Sequence, residues 1–272
     1  MNWLEALILG LVQGLTEFLP VSSSGHLEIG KAVLQIEARE NLTFSIIVHG
    51  ATVLSILVVF YRDLRDLLVR SLRFEYNESS SYLLKILLSI VPVAVVGLFL
   101  KEEVESFFTG NLVFVGSMLL VTAMLLAITN FVPSGTRKIR YLDAFIIGIS
   151  QALAVLPGIS RSGATISTAL LLGNKREEAA RFSFLMVILP IIAANLLDLL
   201  DMEPAISGPA GAGPAGAGSI GWVPLMVGFT AAFISGLLAC RWMLSIVRKG
   251  KLLYFGLYCL VVGTIAIIAG LL

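Results

Sequence analysis

Long apolar stretches constrain the fold of this chain more than any other feature. Six of them are long enough to cross a bilayer, which takes about 20 predominantly apolar residues per helix. They cover roughly residues 42–61, 83–100, 111–132, 182–200, 222–247 and 252–272. Within the hydrocarbon core, a helix satisfies its backbone polar groups internally. The sequence therefore predicts an all-α integral membrane protein with six membrane spans.

Composition leaves little material for a soluble domain. Hydrophobic residues fill 57% of the 272 positions and charged residues 14%, whereas soluble domains carry about 25% charged residues. The net charge is +1 and the basic residues are scattered, so nothing indicates a nucleic-acid partner. Cys240 and Cys259 lie in apolar stretches, and we expect neither a disulfide framework nor a thiolate metal site. No cleaved signal peptide is expected, and we predict a single transmembrane domain over 1–272.

Two further apolar segments, 4–35 and 142–173, are interrupted near their middles by proline, glycine and serine. The interruptions lie at 20–25 and 157–163. Proline and glycine break a helix, and the freed backbone groups are tolerated at membrane depth only where protein or a wet cavity satisfies them. We therefore predict that each segment is a re-entrant helical hairpin, which returns to the side from which it entered.

The chain also repeats itself at an offset of 138 residues. Identical residues at this offset are Ala6 and Ala144, Gly10 and Gly148, Gln13 and Gln151, Leu15 and Leu153, Ser22 and Ser160, Ser24 and Ser162, and Gly25 and Gly163. The match predicts two repeats, about 1–134 and 139–272, each with one hairpin and three spans. Because three is odd, the second repeat is expected to be inverted, as is usual in membrane transport folds.

Basic residues in the predicted loops are strongly biased toward one side. With the N-terminus outside, fifteen of the nineteen lysines and arginines fall on one side, against Lys31, Arg39 and Lys101 on the other. The positive-inside rule therefore places both termini outside and opens the first hairpin to the extracytoplasmic side of the plasma membrane. The Gly/Ala/Pro-rich stretch 207–221 is interpreted as a flexible outside connector.

The two interruptions predict an anion site. If the hairpins enter from opposite faces, their tips approach each other, and both returning helices direct N-terminal N–H groups into one volume. Hydroxyl donors there are Ser22, Ser23, Ser24, Ser160 and Ser162. Arg161 adds a guanidinium suited to bidentate binding of phosphate oxygens. Phosphate fits this set of donors better than any cation.

Around the two interruptions, the carboxylate and the imidazole lie in the first repeat, and the second repeat supplies the positive charge of Arg161. The diverged pairs are Glu17 and Val155, His26 and Ala164, and Ser23 and Arg161. Gln13 and Glu17 are four residues apart, so they share one helix face. Ionisable residues at membrane depth are a functional hypothesis by default.

Structural interpretations of the same residues remain open. Serine and glycine often serve helix packing, Glu17 can snorkel to the interface, and His26 can simply hydrogen-bond within the fold. Two copies in register, each after a proline break, favour a functional interpretation of the tips. A structural role is expected for His49, and Gln151 is interpreted as a structural or site-lining relic of the duplication.

Two motifs carry a resemblance to a known family. The segments QGLTEFLPVSSSGH at 13–26 and PGISRSGAT at 157–165 closely resemble the two signature segments of the undecaprenyl-diphosphate phosphatase family associated with bacitracin resistance. The likeness continues along the whole chain. It implies a membrane hydrolase that removes the terminal phosphate of a C55 polyprenyl diphosphate and so recycles the lipid carrier. It also implies a divalent cation, Mg²⁺ or Ca²⁺, and leaves a homodimer open.

The resemblance assigns roles by position. Glu17 matches the second acid of the family's Glu/Gln-x-x-x-Glu motif, and Gln13 stands where many members have Glu, so Glu17 and Gln13 are the expected metal ligands. Ser23 and His26 match the residues proposed for nucleophilic or proton-transfer roles, and Arg161 is assigned to catalysis. Ser160, Arg161 and Thr165 match phosphate-binding positions of the family's second motif. Ser160 and Thr165, with the tip residues Ser22, Ser24, Gly25, Ser162 and Gly163, are the expected substrate-binding residues.

Several alternatives stay open at this point. Three nucleophiles are considered. The first is Ser23, activated by His26 or by Glu17; the second is His26 itself; the third is a water activated by the metal. A rival class is a secondary transporter or lipid-carrier flippase, since inverted repeats with broken helices are also how transporters bind substrate. No residue pattern distinguishes a C55 carrier from a dolichyl-type chain.

Overall fold

The computed structural model describes residues 1–34, 38–71, 77–108, 110–133, 135–206 and 221–272, with the side chains of 38–42, 105 and 198–206 excepted. These parts of the chain are helical and contain no β-strand, which confirms the all-α class. The predicted connector lies outside them except for Gly221. The helices are α1 Trp3–Phe18, α2 Ser23–Leu34, α3 Ala38–Val59, α4 Tyr61–Ser71, α5 Glu78–Phe99, α6 Lys101–Glu105, α7 Leu112–Ile128, α8 Tyr141–Leu153, α9 Arg161–Leu171, α10 Arg176–Ile206, α11 Trp222–Arg248 and α12 Leu253–Leu271.

Five helices are long and apolar enough to cross a membrane, which fits a multi-pass membrane protein. They are α5, α7 with the 3-10 turn that follows it, α10 through Leu197, α11 and α12. The sixth predicted span, 42–61, corresponds to α3, which meets the same criterion only together with α4 and is bent from it by 70°. Charged residues fill α4, and its Asp63 pairs with Arg181 of α10 at 2.6 Å. Such an amphipathic helix suits a membrane surface better than the hydrocarbon core.

Both interrupted segments are pairs of packed helices, with the break where proline and glycine predict it. The first segment consists of α1 and α2, and the second of α8 and α9. In the second break Gly158 has a φ of 100°, and a Cβ there would lie 2.5 Å from the carbonyl oxygen of Val115. Only glycine fits this close approach in a left-handed conformation.

Helices of the two halves pack in corresponding pairs. The first hairpin helix, α1, packs on α11, and its counterpart α8 packs on α5. Neither Gly10 on α1 nor Gly148 on α8 has room for a Cβ, because the backbone of Gly228 lies against Gly10 and that of Ser89 lies against Gly148. Close packing through small residues is typical of membrane helices. Packing is therefore the role of these two duplicated glycines.

The tips of the two hairpins meet. A Cβ on Gly25 would lie 3.0 Å from the Cα of Gly158, and one on Gly163 would lie 3.4 Å from the Cβ of Pro20. The hydroxyl of Ser162 donates to the carbonyl oxygen of Leu19 at 3.2 Å. Residues that are more than a hundred positions apart in sequence thereby form one site.

Candidate active site

Glu17 lies at the centre of the polar cluster between the tips. Its side chain is only 5% exposed, although it is in the last turn of α1. Gln13, one turn earlier, donates from Nε2 to Oε2 of Glu17 at 3.0 Å. Arg161 Nη1, from the opposite tip, lies 3.8 Å from Oε1. The carboxylate is thus buried and paired rather than snorkelling, because a buried charge requires partners.

Ser23 is the hydroxyl that Glu17 binds. It is the first residue of α2, and its Oγ donates to Oε2 of Glu17 at 2.6 Å. This distance is typical of a hydroxyl that donates to an ionised acceptor. A hydroxyl in hydrogen-bond contact with a base is the arrangement of an activated nucleophile. Among the tip serines in the described part of the chain, this contact with Glu17 belongs to Ser23.

Arg161 places a positive charge beside this pair. It begins α9, and its side chain is 35% exposed, so part of the guanidinium faces open space. The 3.8 Å separation from Glu17 is longer than a bidentate Arg–carboxylate contact, which leaves donors for an incoming anion. The α9 N-terminus lies behind it and favours negative charge in the same place.

The remaining hydroxyls of the tips bind mainly to the protein. Ser22 and Ser160 are 3% and 1% exposed, and their Oγ atoms accept from the backbone N–H of Gly25 and Gly163, at 3.3 and 3.1 Å. They therefore cap α2 and α9. Thr165 is also buried, and its hydroxyl donates to the carbonyl oxygen of Arg161 at 2.9 Å.

Ser24 and Ser162 are half-buried and bridge to those caps, each at 3.3 Å. Gly25 and Gly163 are buried at the contact between the tips. Of the seven expected substrate-binding residues, Ser24 and Ser162 are thus the two with partly accessible side chains. The other five are buried, and they cap the two helices, pack the tips together or donate to their backbone.

His26 is engaged away from Ser23. Its Nδ1 lies 2.8 Å from the carbonyl oxygen of Ser22, and its Nε2 lies 2.8 Å from the hydroxyl of Tyr258 on α12. Ser22 is at φ 69°, in the left-handed region that a serine rarely adopts. Because both ring nitrogens of His26 are occupied by other groups, whereas Glu17 accepts from Ser23, the geometry favours Glu17 over His26 as the base for Ser23.

His49 and Tyr258 belong to the site although sequence reasoning gave neither a functional role. His49 on α3 lies near Glu17, and its Nδ1 donates to the carbonyl oxygen of Ser45 at 2.8 Å. One signal was present, since the repeat offset places His49 opposite Val187, the same polar-to-apolar divergence that marks Glu17. No such signal marks Tyr258.

A hard cation has a small set of protein ligands here. Gln13 is fully buried, and its Oε1 has no hydrogen-bond partner within the described residues. That oxygen and the Glu17 carboxylate are the ligand types that Mg²⁺ and Ca²⁺ prefer. The described parts of the chain contain no cluster of three or more His, Cys, Asp or Glu that could hold a metal. A cation would therefore depend on substrate oxygens to complete its coordination.

Comparison with known proteins gives one consistent result. The family model described as "Bacitracin resistance protein BacA" matches residues 6–265. A Bacteroides fragilis protein named undecaprenyl-diphosphatase is 52% identical over 270 residues, which cover 98% of each chain. A Parabacteroides distasonis protein of the same name is 52% identical over 274 residues and 100% of each chain. A Korarchaeum cryptofilum protein, also so named, is 42% identical and covers 95% of this chain and 96% of its own.

Proposed function

Because the chain belongs to the bacitracin resistance protein BacA family, we infer that it is an integral membrane undecaprenyl-diphosphatase. It hydrolyses undecaprenyl diphosphate to the monophosphate carrier and inorganic phosphate. We propose that this reaction returns the lipid carrier to cell-envelope glycan synthesis. One observation carries the assignment to this site: the hydroxyl of Ser23 donates to Glu17 at 2.6 Å, beside Arg161 from the opposite tip.

The first chemical step is in-line attack on the terminal phosphorus. The Oγ of Ser23 forms the new P–O bond while its proton passes to the carboxylate of Glu17. The bond from phosphorus to the bridging oxygen breaks, and the lipid monophosphate leaves with that electron pair. Arg161 and the N-termini of α2 and α9 neutralise charge on the equatorial oxygens, which is the main catalytic task in phosphoryl transfer.

The second step regenerates the enzyme. Water attacks the phosphorus of phosphorylated Ser23, and both of its protons stay on the released phosphate, one on the attacking oxygen and one on a neighbouring phosphate oxygen. The P–O bond to Ser23 breaks, and Glu17 returns its proton to that oxygen. Inorganic phosphate then leaves. The two steps consume one water and yield the two expected products.

A divalent cation fits this scheme as an auxiliary. Glu17 and the free Oε1 of Gln13 would hold Mg²⁺ or Ca²⁺, which would supply further neutralisation of phosphate charge. Because residue 13 is Gln rather than Glu, the carboxylate of Glu17 is the single negatively charged group among these two ligands.

We further propose that the two halves form an inverted repeat around this site. Corresponding contacts support it. The offset carries Gly25 onto Gly163 and Pro20 onto Gly158, so the two close contacts between the tips are equivalent. Each tip also has its own cap, formed by corresponding serines. In this arrangement both hairpins are re-entrant, and the first opens to the outside.

Cysteine labelling tests the proposed topology. Both native cysteines are buried, so single exposed cysteines can be introduced at Ser106 and Lys249. In intact cells, an impermeant maleimide is expected to label Ser106→Cys and to reach Lys249→Cys only after the membrane is permeabilised. Labelling of Lys249→Cys before permeabilisation would overturn the proposed orientation.

Arginine removal tests the function. The purified protein in detergent is expected to release phosphate from a polyprenyl diphosphate, and Arg161→Ala to lower kcat/KM by about 10²–10³-fold, since it removes a charge aimed at the phosphate oxygens. Arg65→Ala on the exposed surface of α4 is the matched control and should match wild type.

The activity of the wild-type protein decides between a phosphatase and a transporter. A folded wild-type protein that releases no phosphate while moving the lipid across vesicles would instead support the transporter class. Equal activity of Arg161→Ala and Arg65→Ala would remove Arg161 from the site.

A further inference from the structure

Tyr258 makes a two-part contact with His26 that joins α12 to the first hairpin tip. The phenol oxygen lies 2.8 Å from Nε2 of His26. The two rings are also stacked, with centroids 5.4 Å apart and an interplanar angle of 10°. Because the residues are 232 positions apart, the contact ties a helix of the second half to the catalytic half.

The partners of His26 fix its tautomer. The carbonyl oxygen of Ser22 can only accept a hydrogen bond, so the nitrogen 2.8 Å from it, Nδ1, carries the proton. In a neutral imidazole Nε2 is then an acceptor, and the hydroxyl of Tyr258 donates to it. Both ring nitrogens are thereby occupied, and the ring has a single orientation.

The fixed ring in turn holds the residue before Ser23. The carbonyl oxygen of Ser22 accepts from both the backbone N–H and Nδ1 of His26. Ser22 is the only non-glycine residue with positive φ among the described residues. A strained conformation persists only where its surroundings over-determine it. This one directs the next residue, Ser23, at Glu17.

We propose that Tyr258 is a positioning residue for the phosphatase reaction. Its hydroxyl donates to Nε2 of His26. His26 in turn holds the backbone of Ser22, and this keeps the hydroxyl of Ser23 hydrogen-bonded to Glu17. This inference rests on the proposed function of the site. The neighbouring Cys259 supports it, since its thiol lies 3.8 Å from the carbonyl oxygen of Pro20 in the same break. Two consecutive residues of α12 thus brace one tip.

The kinetic test uses Tyr258→Phe, which keeps the stacked ring and removes the hydroxyl. Tyr254→Phe is the matched control, because Tyr254 lies one turn earlier on α12 and is 67% exposed. We expect Tyr258→Phe to lower kcat about tenfold and to change KM by less than about twofold, as removal of an orienting partner does. Tyr254→Phe should match wild type. A rise in KM at unchanged kcat, or no change in either constant, would overturn the proposal.

A spectroscopic test is independent of turnover. The chain has two histidines, so ¹⁵N-histidine labelling gives two side-chain signal sets, which His26→Asn assigns. In the wild type, Nδ1 of His26 should be protonated and Nε2 a hydrogen-bonded acceptor, and Tyr258→Phe should shift Nε2 or mix the tautomers. A wild-type His26 protonated on Nε2 would refute the proposal, whether or not the variant folds. The tautomer is measurable even if the protein releases no phosphate, so failure of the two proposals is distinguishable.

Discussion

Glu17→Gln is expected to lower phosphate release by about 10³-fold, within the range typical of losing a general base. The amide cannot take the proton of Ser23, and it leaves Arg161 without its counter-charge, although the side chain keeps its size. Turnover of a polyprenyl diphosphate by purified protein in detergent, with thermal unfolding alongside, measures the effect.

The control for this variant is Glu5→Gln on the same helix. Glu5 completes a capping box at the start of α1, and Gln serves in that box as well as Glu, so wild-type activity and stability are expected. If Glu17→Gln retained more than about a tenth of wild-type activity while folded, Glu17 would not be the base.

Ser23→Ala is expected to have the larger effect, at least about 10⁴-fold on kcat, because loss of a nucleophile leaves only the residual rate of water attack in an otherwise intact site. The change deletes one oxygen, and the charge of the tip is unaltered. Substrate binding should therefore persist, and KM should change far less than kcat.

Ser117→Ala is the matched control for Ser23→Ala. The hydroxyl of Ser117 donates to the carbonyl oxygen of Val113 within α7, so its removal should leave turnover unchanged. Near wild-type kcat in Ser23→Ala would favour attack by water or by His26, and the presence or absence of a phosphohistidine at His26 during turnover would then decide between those two.

Local sequence patterns predicted the parts of the site that are close in the chain. Proline and glycine predicted both breaks, and the four-residue spacing predicted that Gln13 and Glu17 share a helix face, where the structure joins them by a hydrogen bond. The repeat offset predicted that the two tips belong together, and Arg161 accordingly lies beside Glu17. The two local predictions succeeded because helix geometry and backbone restrictions act over a few residues, whereas the meeting of the tips followed from the duplication.

Contacts between distant helices that the duplication does not relate were beyond sequence reasoning. Tyr258 stands in an apolar span, where a tyrosine usually indicates an interface anchor, and only packing of α12 brings it to His26. The capping of α2 and α9 by Ser22 and Ser160 was also missed, since all the tip serines looked alike as hydroxyl donors. The bend after α3 was missed because hydrophobicity defined a span up to residue 61, although the next residues are charged.

The central claim is that the hydroxyl of Ser23, activated by Glu17, attacks the terminal phosphorus. The most direct measurement is to quench turnover of a substrate radiolabelled in its terminal phosphate and to map the label on the protein. The mechanism predicts acid-stable phosphoserine at Ser23, and no label in Ser23→Ala. An acid-labile phosphohistidine at His26, or undiminished turnover with no covalent label at any time point, would contradict it.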